Sequence, residues 1–173
     1  MKKILSLFLV IATLVLLLCA VGCNKQDGDN KAYYNYGLHY TLPKEYTHLT
    51  VSYSEFTYYN GEAYFYFNTM SEEQLVESYL PPDISVETYA ANFRMLNGIS
   101  NPVVYNKEKN TALLEYVYNY TEEDEVQLPP EFYYHYILRG SVYIYIVTMS
   151  CPADKADVYK PIFDGWMQDI HAD

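Results

Sequence analysis

The pattern of apolar and polar positions separates a front segment from a longer domain. Apolar side chains run almost unbroken through residues 4–18, and residues 24–35 are mostly polar with few aliphatic side chains. Further along, apolar residues recur every second position in some segments and at helical spacing in others. The pattern predicts three parts: a signal peptide at 1–22, a flexible tether at 23–35 and one globular domain at 36–173.

Within the domain, period-two and continuously apolar segments predict strands. The predicted strands are 36–43, 48–53, 62–68, 102–106, 111–121, 132–139 and 141–149. The last two read as a hairpin that turns near Gly140 and places His135 opposite Tyr145. Both of these strands are apolar on both faces, which predicts that the central sheet is at least partly covered on both sides.

Three segments predict helices at 71–80, 85–98 and 153–171. Ser71 with Gln74 forms a capping-box signature, and Ser85 and Gly98 can start and end the second helix. Each longer helix carries an apolar stripe that we expect to be buried. The stripes are Val86, Tyr89, Ala90, Phe93 and Leu96 in one helix, and Val158, Ile162, Trp166 and Ile170, with Phe163 and Met167 alongside, in the other.

The order of these elements is strands, helices, more strands and a closing helix. Segregated strands and helices of this kind favour an α+β domain, in which an antiparallel sheet is packed against helices. The mature length of 151 residues suits one domain with a proper core.

The end of the signal segment indicates how the protein is attached to the membrane. Its sequence AVGC, residues 20–23, resembles the lipobox of bacterial lipoproteins. The resemblance implies cleavage before Cys23 and a lipid on its thiol, so that the protein is held on the extracytoplasmic face of the cell membrane. The alternatives are a plain signal peptide and an uncleaved membrane anchor.

Charge and cysteine content limit the possible partners. Removing residues 1–22, which include Lys2 and Lys3, leaves nine basic and 22 acidic residues and a net charge of −13. Such an acidic domain is repelled by nucleic acid and by anionic lipid, so the lipid itself must attach the protein to the membrane. With Cys23 acylated, Cys151 alone remains, and we expect no intramolecular disulfide and no cysteine metal site.

Three further segments resemble PsbP-like domains: YGLHYTLPKEY at 36–46, SVETYAANF at 85–93 and VYKPIFDGWMQDI at 158–170. They match the opening strand, the middle helix and the closing helix of that family. The resemblance implies a central antiparallel sheet between helices, a PsbP-like α/β/α sandwich. It also implies binding to other proteins rather than catalysis, and it carries over no functional residue.

Tyrosine is the candidate binding residue, because 22 of them occur, all after the signal segment. Period-two spacing places several on shared strand faces, and the candidate binding face is Tyr64, Tyr66, Tyr116 and Tyr118. Rows of tyrosine stack sugars or form protein-binding patches. The competing interpretation makes them boundary residues, with rings under the helices and hydroxyls toward water.

Other chemistry has little support in the sequence. Cys151 is interpreted as a buried, inert thiol, and the four histidines are expected to lie far apart without metal-ligand spacing. The acidic residues 122–125 are interpreted as a solvated loop, with a cation site as the alternative. We therefore predict a protein-binding accessory lipoprotein without catalytic residue, metal or cofactor. The alternatives are a carbohydrate or small-ligand binder and, less favoured, a thiol enzyme or hydrolase.

Overall fold

The computed structural model describes residues 30–51, 54–121 and 128–173. One compact unit spans Lys31–Asp173. The strands within the described ranges are β1 (Asn30–Asn35), β2 (Leu38–Pro43), β3 (Thr47–Val51), β4 (Ser54–Tyr59), β5 (Tyr64–Ser71), β6 (Val104–Asn106), β7 (Thr111–Tyr118), β8 (Glu131–Arg139), β9 (Tyr143–Pro152) and β10 (His171–Ala172). The helices are α1 (Glu72–Glu77), α2 (Val86–Leu96) and α3 (Ala156–Asp169), with a 3-10 turn at Ala153–Lys155 before α3.

Seven strands form the main sheet in the order β3-β4-β5-β9-β8-β7-β6, and each neighbouring pair is antiparallel. A smaller sheet has the order β1-β2-β10. The predicted α+β architecture is confirmed. Strand β4 was not predicted. In the turn that follows it, Asn60 Oδ1 accepts hydrogen bonds from the amides of Glu62 and Ala63.

The β8–β9 hairpin forms as predicted, but its predicted register is wrong by three residues. His135 lies opposite Thr148, and Tyr145 lies opposite Leu138. The reason is the turn: Gly140 donates a backbone hydrogen bond to Tyr143, so the chain reverses after Gly140 rather than at it. A register error on antiparallel strands changes every cross-strand neighbour, which matters for the site described below.

The two middle helices begin where their caps predict. Ser71 and Gln74 exchange side-chain and backbone hydrogen bonds in a capping box at the start of α1. Ser85 Oγ accepts from the amide of Thr88 at the start of α2. In α2, Val86, Tyr89 and Ala90 are buried as predicted, whereas Leu96 at the helix end is 77% exposed.

The closing helix α3 buries only part of the predicted broad face. Val158 and Ile162 are exposed, while Trp166 and Ile170 are buried as predicted. Phe163, also predicted, is buried beside them, and so is Tyr159, which was not predicted. These two aromatic residues repeat with Trp166 at the same helical spacing, and their larger rings remove more apolar area from water than the valine and isoleucine do.

The main sheet is at least partly covered on both sides, as predicted. Its closed face, defined here by Phe65, Tyr134 and Met149, packs against β2 and α3. The opposite face is defined by Tyr64, Tyr133 and Ile146 and packs against α1 and α2 at the Ile137–Ile144 end. We call it the half-covered face, because the tyrosines at its other end stay partly exposed.

The predicted tether is wrong for residues 30–35, which form β1. The Tyr33 ring stacks on Tyr40 with 5.2 Å between centroids, and Asn35 Nδ2 donates to the Tyr40 hydroxyl at 2.8 Å. Tyr40 is almost fully buried, so these contacts join β1 to the core. The globular fold therefore starts about six residues earlier than predicted. The remaining tether and the signal peptide lie outside the described residues.

Candidate functional site

The four candidate tyrosines lie on one face of the main sheet. Tyr64 pairs with Ser150, Ser150 with Tyr133, and Tyr133 with Tyr116, so these residues form one row across β5, β9, β8 and β7. Tyr66 and Tyr118 follow two positions further along their strands and share the face. This is the half-covered face. Sheet register, rather than the strand patterns alone, brings the two predicted pairs together.

Strand β5 shows how the sequence distinguishes the two faces. Its residues 64–67 read Tyr-Phe-Tyr-Phe. Phe65 and Phe67 are buried on the closed face, while Tyr64 and Tyr66 are half-buried on the other. A phenylalanine ring has no polar atom, so full burial leaves no hydrogen bond unmade. A tyrosine hydroxyl, by contrast, needs a hydrogen-bond partner or water. The alternation therefore places hydroxyls where water can reach them.

A concave pocket of about 310 Å³ opens on the half-covered face beside the C-terminal part of α2. We call it the tyrosine pocket. Its tyrosines are Tyr66, Tyr116, Tyr118, Tyr120 and Tyr133. The other residues around it include Phe93, Asn97, Asn68, His135 and Thr148. Three of the four candidate tyrosines thus line a single concavity.

Tyr64 shares the face but does not line the pocket. Its ring stacks on Tyr59 of β4 at 4.4 Å between centroids. Tyr120, Tyr133 and His135 line the pocket but were not among the candidate site residues. Tyr133 and His135 could have been found from the correct β8–β9 register. The contributions of Phe93 and Asn97 depend on how α2 lies over the sheet, which no local pattern specifies.

His135 is the buried polar centre of the pocket. It is 5% exposed, its Nδ1 lies 2.9 Å from Thr148 Oγ1, and its Nε2 lies 3.2 Å from the Tyr116 hydroxyl. The Phe93 ring contacts it edge-on at 5.1 Å. Burial lowers the pKa of His135 to about 4, because the charged imidazolium is poorly solvated there. The imidazole is therefore neutral at physiological pH.

Glu131 anchors the other end of the pocket. Its Oε2 accepts a hydrogen bond from the Tyr133 hydroxyl at 2.9 Å, and its Oε1 accepts one from Ser150 at 2.8 Å. Burial and the nearby negative charge of Glu131 raise the pKa of Tyr133. Burial, with neighbouring Tyr118 and Glu131, raises the pKa of Tyr116 to about 12. The pocket thus presents protonated phenols and a neutral imidazole, a set suited to stacking and hydrogen bonding.

Cys151 lies away from this site. It is fully buried on the closed face opposite Phe132, whereas His135 projects from the other face. Burial, with the negative charges of Glu131, Asp154 and Glu62, raises the pKa of its thiol to about 12. The buried thiol expected from the sequence is confirmed, and a raised pKa disfavours its reactive thiolate form.

The expectation that the histidines lie far apart is wrong for one pair. His39 and His171 face each other across β2 and β10, and their rings stack at 4.6 Å. The Nε2 of His39 also lies 3.0 Å from Asp173 Oδ1. Strand β10 was not predicted, so no sequence pattern placed the two histidines side by side. Within the described ranges, no group of three or more histidine, cysteine or acidic residues is arranged to hold a metal ion.

Two further predictions fall on residues that the structure does not describe. Cys23 and the acidic residues 122–125 lie outside the described ranges. Among residues 30–51, 54–121 and 128–173, no helix is long and apolar enough to span a bilayer.

A larger concavity of about 600 Å³ lies at the β4–β5 edge and includes Tyr36, Phe56 and Tyr143.

Comparison with known proteins identifies the fold. No family model matches the chain, and no curated protein matches it. The solution structure of cyanobacterial PsbP (CyanoP) from Synechocystis sp. PCC 6803 is similar, with a TM-score of 0.52 and 10% sequence identity. The match covers 87% of this chain and 96% of that one. The chain has a PsbP-like fold. At this identity the PsbP-like match concerns architecture alone, and it agrees with the resemblance seen in the three sequence segments.

Proposed function

We propose that this protein is a non-catalytic binding or accessory protein that acts at the extracytoplasmic face of the cell membrane. A lipid on Cys23 holds it there, and the tyrosines of the half-covered face contact a protein partner. The tyrosine pocket is the observation that carries the proposal, since it keeps a cluster of aromatic rings partly exposed on an otherwise buried sheet. The PsbP-like fold supports an accessory rather than a catalytic role.

Tyrosine suits this role for physical reasons. A rigid ring supplies much contact area while losing little conformational entropy on binding, and its hydroxyl tolerates water when the partner is absent. Tyr118, at 37% exposed, can lose water-accessible area to a partner. Tyr116 and Tyr133, by contrast, are held by hydrogen bonds to His135 and Glu131, so the surface is partly preorganised.

The concave shape favours a second candidate function, the binding of a carbohydrate or another small ligand. Ligand sites are usually concave, largely aromatic or apolar, and supplied with a few fixed polar groups. The tyrosine pocket meets that description with its rings, its two asparagines and Thr148. A thiol enzyme has less support, because Cys151 is enclosed on the closed face and His135 projects from the other one.

Lipid attachment is tested by metabolic labelling with a radioactive or clickable fatty acid in the native host. We expect Cys23→Ser to abolish the label and to block cleavage before residue 23. Cys19→Ser is the matched control and should leave both unchanged. Label that persists in Cys23→Ser would contradict the anchoring part of the proposal.

Partner binding is tested by quantitative recovery of envelope proteins with the wild-type chain and with a Tyr66→Ser, Tyr118→Ser double variant. We expect at least a severalfold loss of one specific partner and a melting temperature within a few degrees of wild type. Tyr79→Ser is the control, because Tyr79 is 97% exposed and does not line the pocket. Equal recovery by all three chains would refute a role for the tyrosine face in partner binding.

A further inference from the structure

We propose that the tyrosine pocket binds an organic ammonium group, supplied either by a small quaternary ammonium ion or by a lysine side chain of a partner. This inference rests on the proposed function above and names the chemistry that the same site recognises. It follows from the rings, the charges and the existing hydrogen bonds of the pocket.

The rings of the pocket resemble the walls of an aromatic cage. Tyr118 and Tyr120 meet at 89° with 5.0 Å between centroids, which makes a corner of two perpendicular rings. Tyr116 and Tyr133 are stacked with each other at 5.4 Å between centroids, so they offer a cation only the ring surface that they turn toward the pocket. A cation close to several aromatic rings is attracted by their quadrupoles, and quaternary ammonium groups are recognised by cages of this type.

The charges around the pocket favour a cation. Among the described residues that line it, none is lysine or arginine, and its histidine is neutral at physiological pH. Glu131 accepts hydrogen bonds from the hydroxyls of Tyr133 at 2.9 Å and of Tyr120 at 3.4 Å. A phenol that donates to a carboxylate becomes more electron-rich, which strengthens its attraction for a cation. Anionic ligands would meet the carboxylate without a compensating charge.

Existing hydrogen bonds make a neutral polyol a poorer fit. Both ring nitrogens of His135 already have partners, Thr148 and Tyr116. Glu131 is engaged by Ser150 and Tyr133, and Asn97 Nδ2 donates to the carbonyl of Phe93. A sugar gains specificity from polar groups that are available to it, whereas an ammonium group needs only ring faces and negative potential. The volume of about 310 Å³ is ample for a choline-sized ion.

The test compares two molecules of nearly the same shape, choline chloride and its uncharged carbon analogue 3,3-dimethylbutan-1-ol. Each is titrated into the chain from residue 24 onward, which contains the compact unit Lys31–Asp173, and binding is followed by NMR shifts of the pocket residues. We expect choline to bind on the order of tenfold more tightly than the alcohol, as cation–π attraction of about 1.4 kcal/mol requires. Cellobiose is titrated in the same way as a neutral sugar. Equal binding of choline and the alcohol, or tighter binding of cellobiose, would overturn the inference.

Variants of Tyr118 separate the ring from the hydroxyl. Tyr118→Phe keeps the ring and should retain choline affinity within about threefold, whereas Tyr118→Leu should weaken it about tenfold. Tyr79→Leu, outside the pocket, should have no effect. Equal loss in the Phe and Leu variants would show that the hydroxyl, not the ring, is recognised, and would contradict an aromatic cage.

A further titration with Nα-acetyl-lysine methylamide distinguishes the two sources of the ammonium group. Comparable affinity for this compound indicates a lysine of a partner, and a clear preference for choline indicates a small quaternary ion; both outcomes support the ammonium chemistry. If neither compound binds while Tyr118→Ser still reduces partner recovery, the ammonium inference fails and the proposed function stands. If choline binds and partner recovery does not depend on the pocket, the inference stands without a protein partner.

Discussion

The two faces of the main sheet use the same residue, tyrosine, in different ways. On the closed face, Tyr134 and Tyr145 are buried to within 2% of full enclosure, and each hydroxyl reaches a specific acceptor: Asp164 Oδ1 for one and the Tyr36 carbonyl for the other, both at 2.6 Å. On the half-covered face, Tyr118 is 37% exposed and borders the tyrosine pocket. Identical rings on adjacent strands therefore belong to a core and to an accessible surface.

The difference shows what decides whether a tyrosine is buried. Helix α3 and strand β2 cover the closed face with Phe163, Trp166 and Leu42, leaving little room for water. Helix α2 covers only part of the other face, because it ends at Leu96 after reaching Phe93 above His135. Whether a helix or strand packs over a tyrosine, rather than the pattern along its own strand, decides whether it belongs to the core or to the pocket.

The largest effect is expected where the closed face is packed most tightly. Trp166 is 8% exposed and contacts the Tyr46 ring edge-on at 5.1 Å. Trp166→Ala should lower the free energy of unfolding by about 3–5 kcal/mol, because it leaves a cavity in the core. Denaturant unfolding followed by circular dichroism measures this loss.

The matched control on the same helix is Ile162→Ala. Ile162 is 39% exposed, so its truncation should cost less than about 1 kcal/mol. Equal destabilisation by the two changes would mean that Ile162 is buried against the sheet as fully as Trp166 is.

A smaller effect is expected from pH acting through His135 on the half-covered face. Its pKa is about 4 in the folded protein and about 6.5 when unfolded. The unfolded chain therefore binds more protons between these values, and stability should fall by about 3 kcal/mol as pH drops from about 6.5 to about 4. Thermal unfolding across this range, compared between wild type and His135→Gln, isolates the contribution.

His48→Gln is the control for that comparison, since His48 is exposed at the other end of the sheet. It should keep the wild-type pH dependence. If His135→Gln also keeps the wild-type pH dependence, the imidazole is not buried in its neutral form. His135 would then not be the buried polar centre of the tyrosine pocket.

Two tyrosine-to-phenylalanine changes on the closed side should have opposite signs. The Tyr134 hydroxyl donates to Asp164, so Tyr134→Phe should cost about 1–2 kcal/mol. The buried Tyr46 hydroxyl has no hydrogen-bond partner among the described residues, so Tyr46→Phe should stabilise the protein by about 1 kcal/mol. Chemical denaturation of both variants measures the difference. A loss of stability in both would show that Tyr46 has a partner.

Much of the fold was predictable because its signals are local. The capping residues Ser71 and Ser85 set the starts of α1 and α2, and continuous apolar runs predicted β8 and β9. The shared face of Tyr116 and Tyr118 followed from the period of two. Each of these predictions depends on a few neighbouring residues only.

The remainder depends on contacts between distant segments. Strand β1 looks polar in isolation and becomes ordered by stacking Tyr33 on Tyr40. Strand β10 is two residues long and exists because His171 pairs with His39. Predicting the tyrosine pocket would have required the correct β8–β9 register. The predicted register was wrong by three residues, because the turn was misplaced. Local patterns contain no information about these partners.

The measurement that tests the central claim most directly is the paired stability and binding of Tyr118→Ser. If the half-covered face is a binding surface, this change should alter the free energy of unfolding by less than about 1 kcal/mol, or a few degrees in melting temperature, and should weaken partner binding severalfold. Tyr134→Ser on the closed face should destabilise the fold strongly. A Tyr118→Ser protein that unfolds like Tyr134→Ser would show that both tyrosines are core residues, and it would contradict the account.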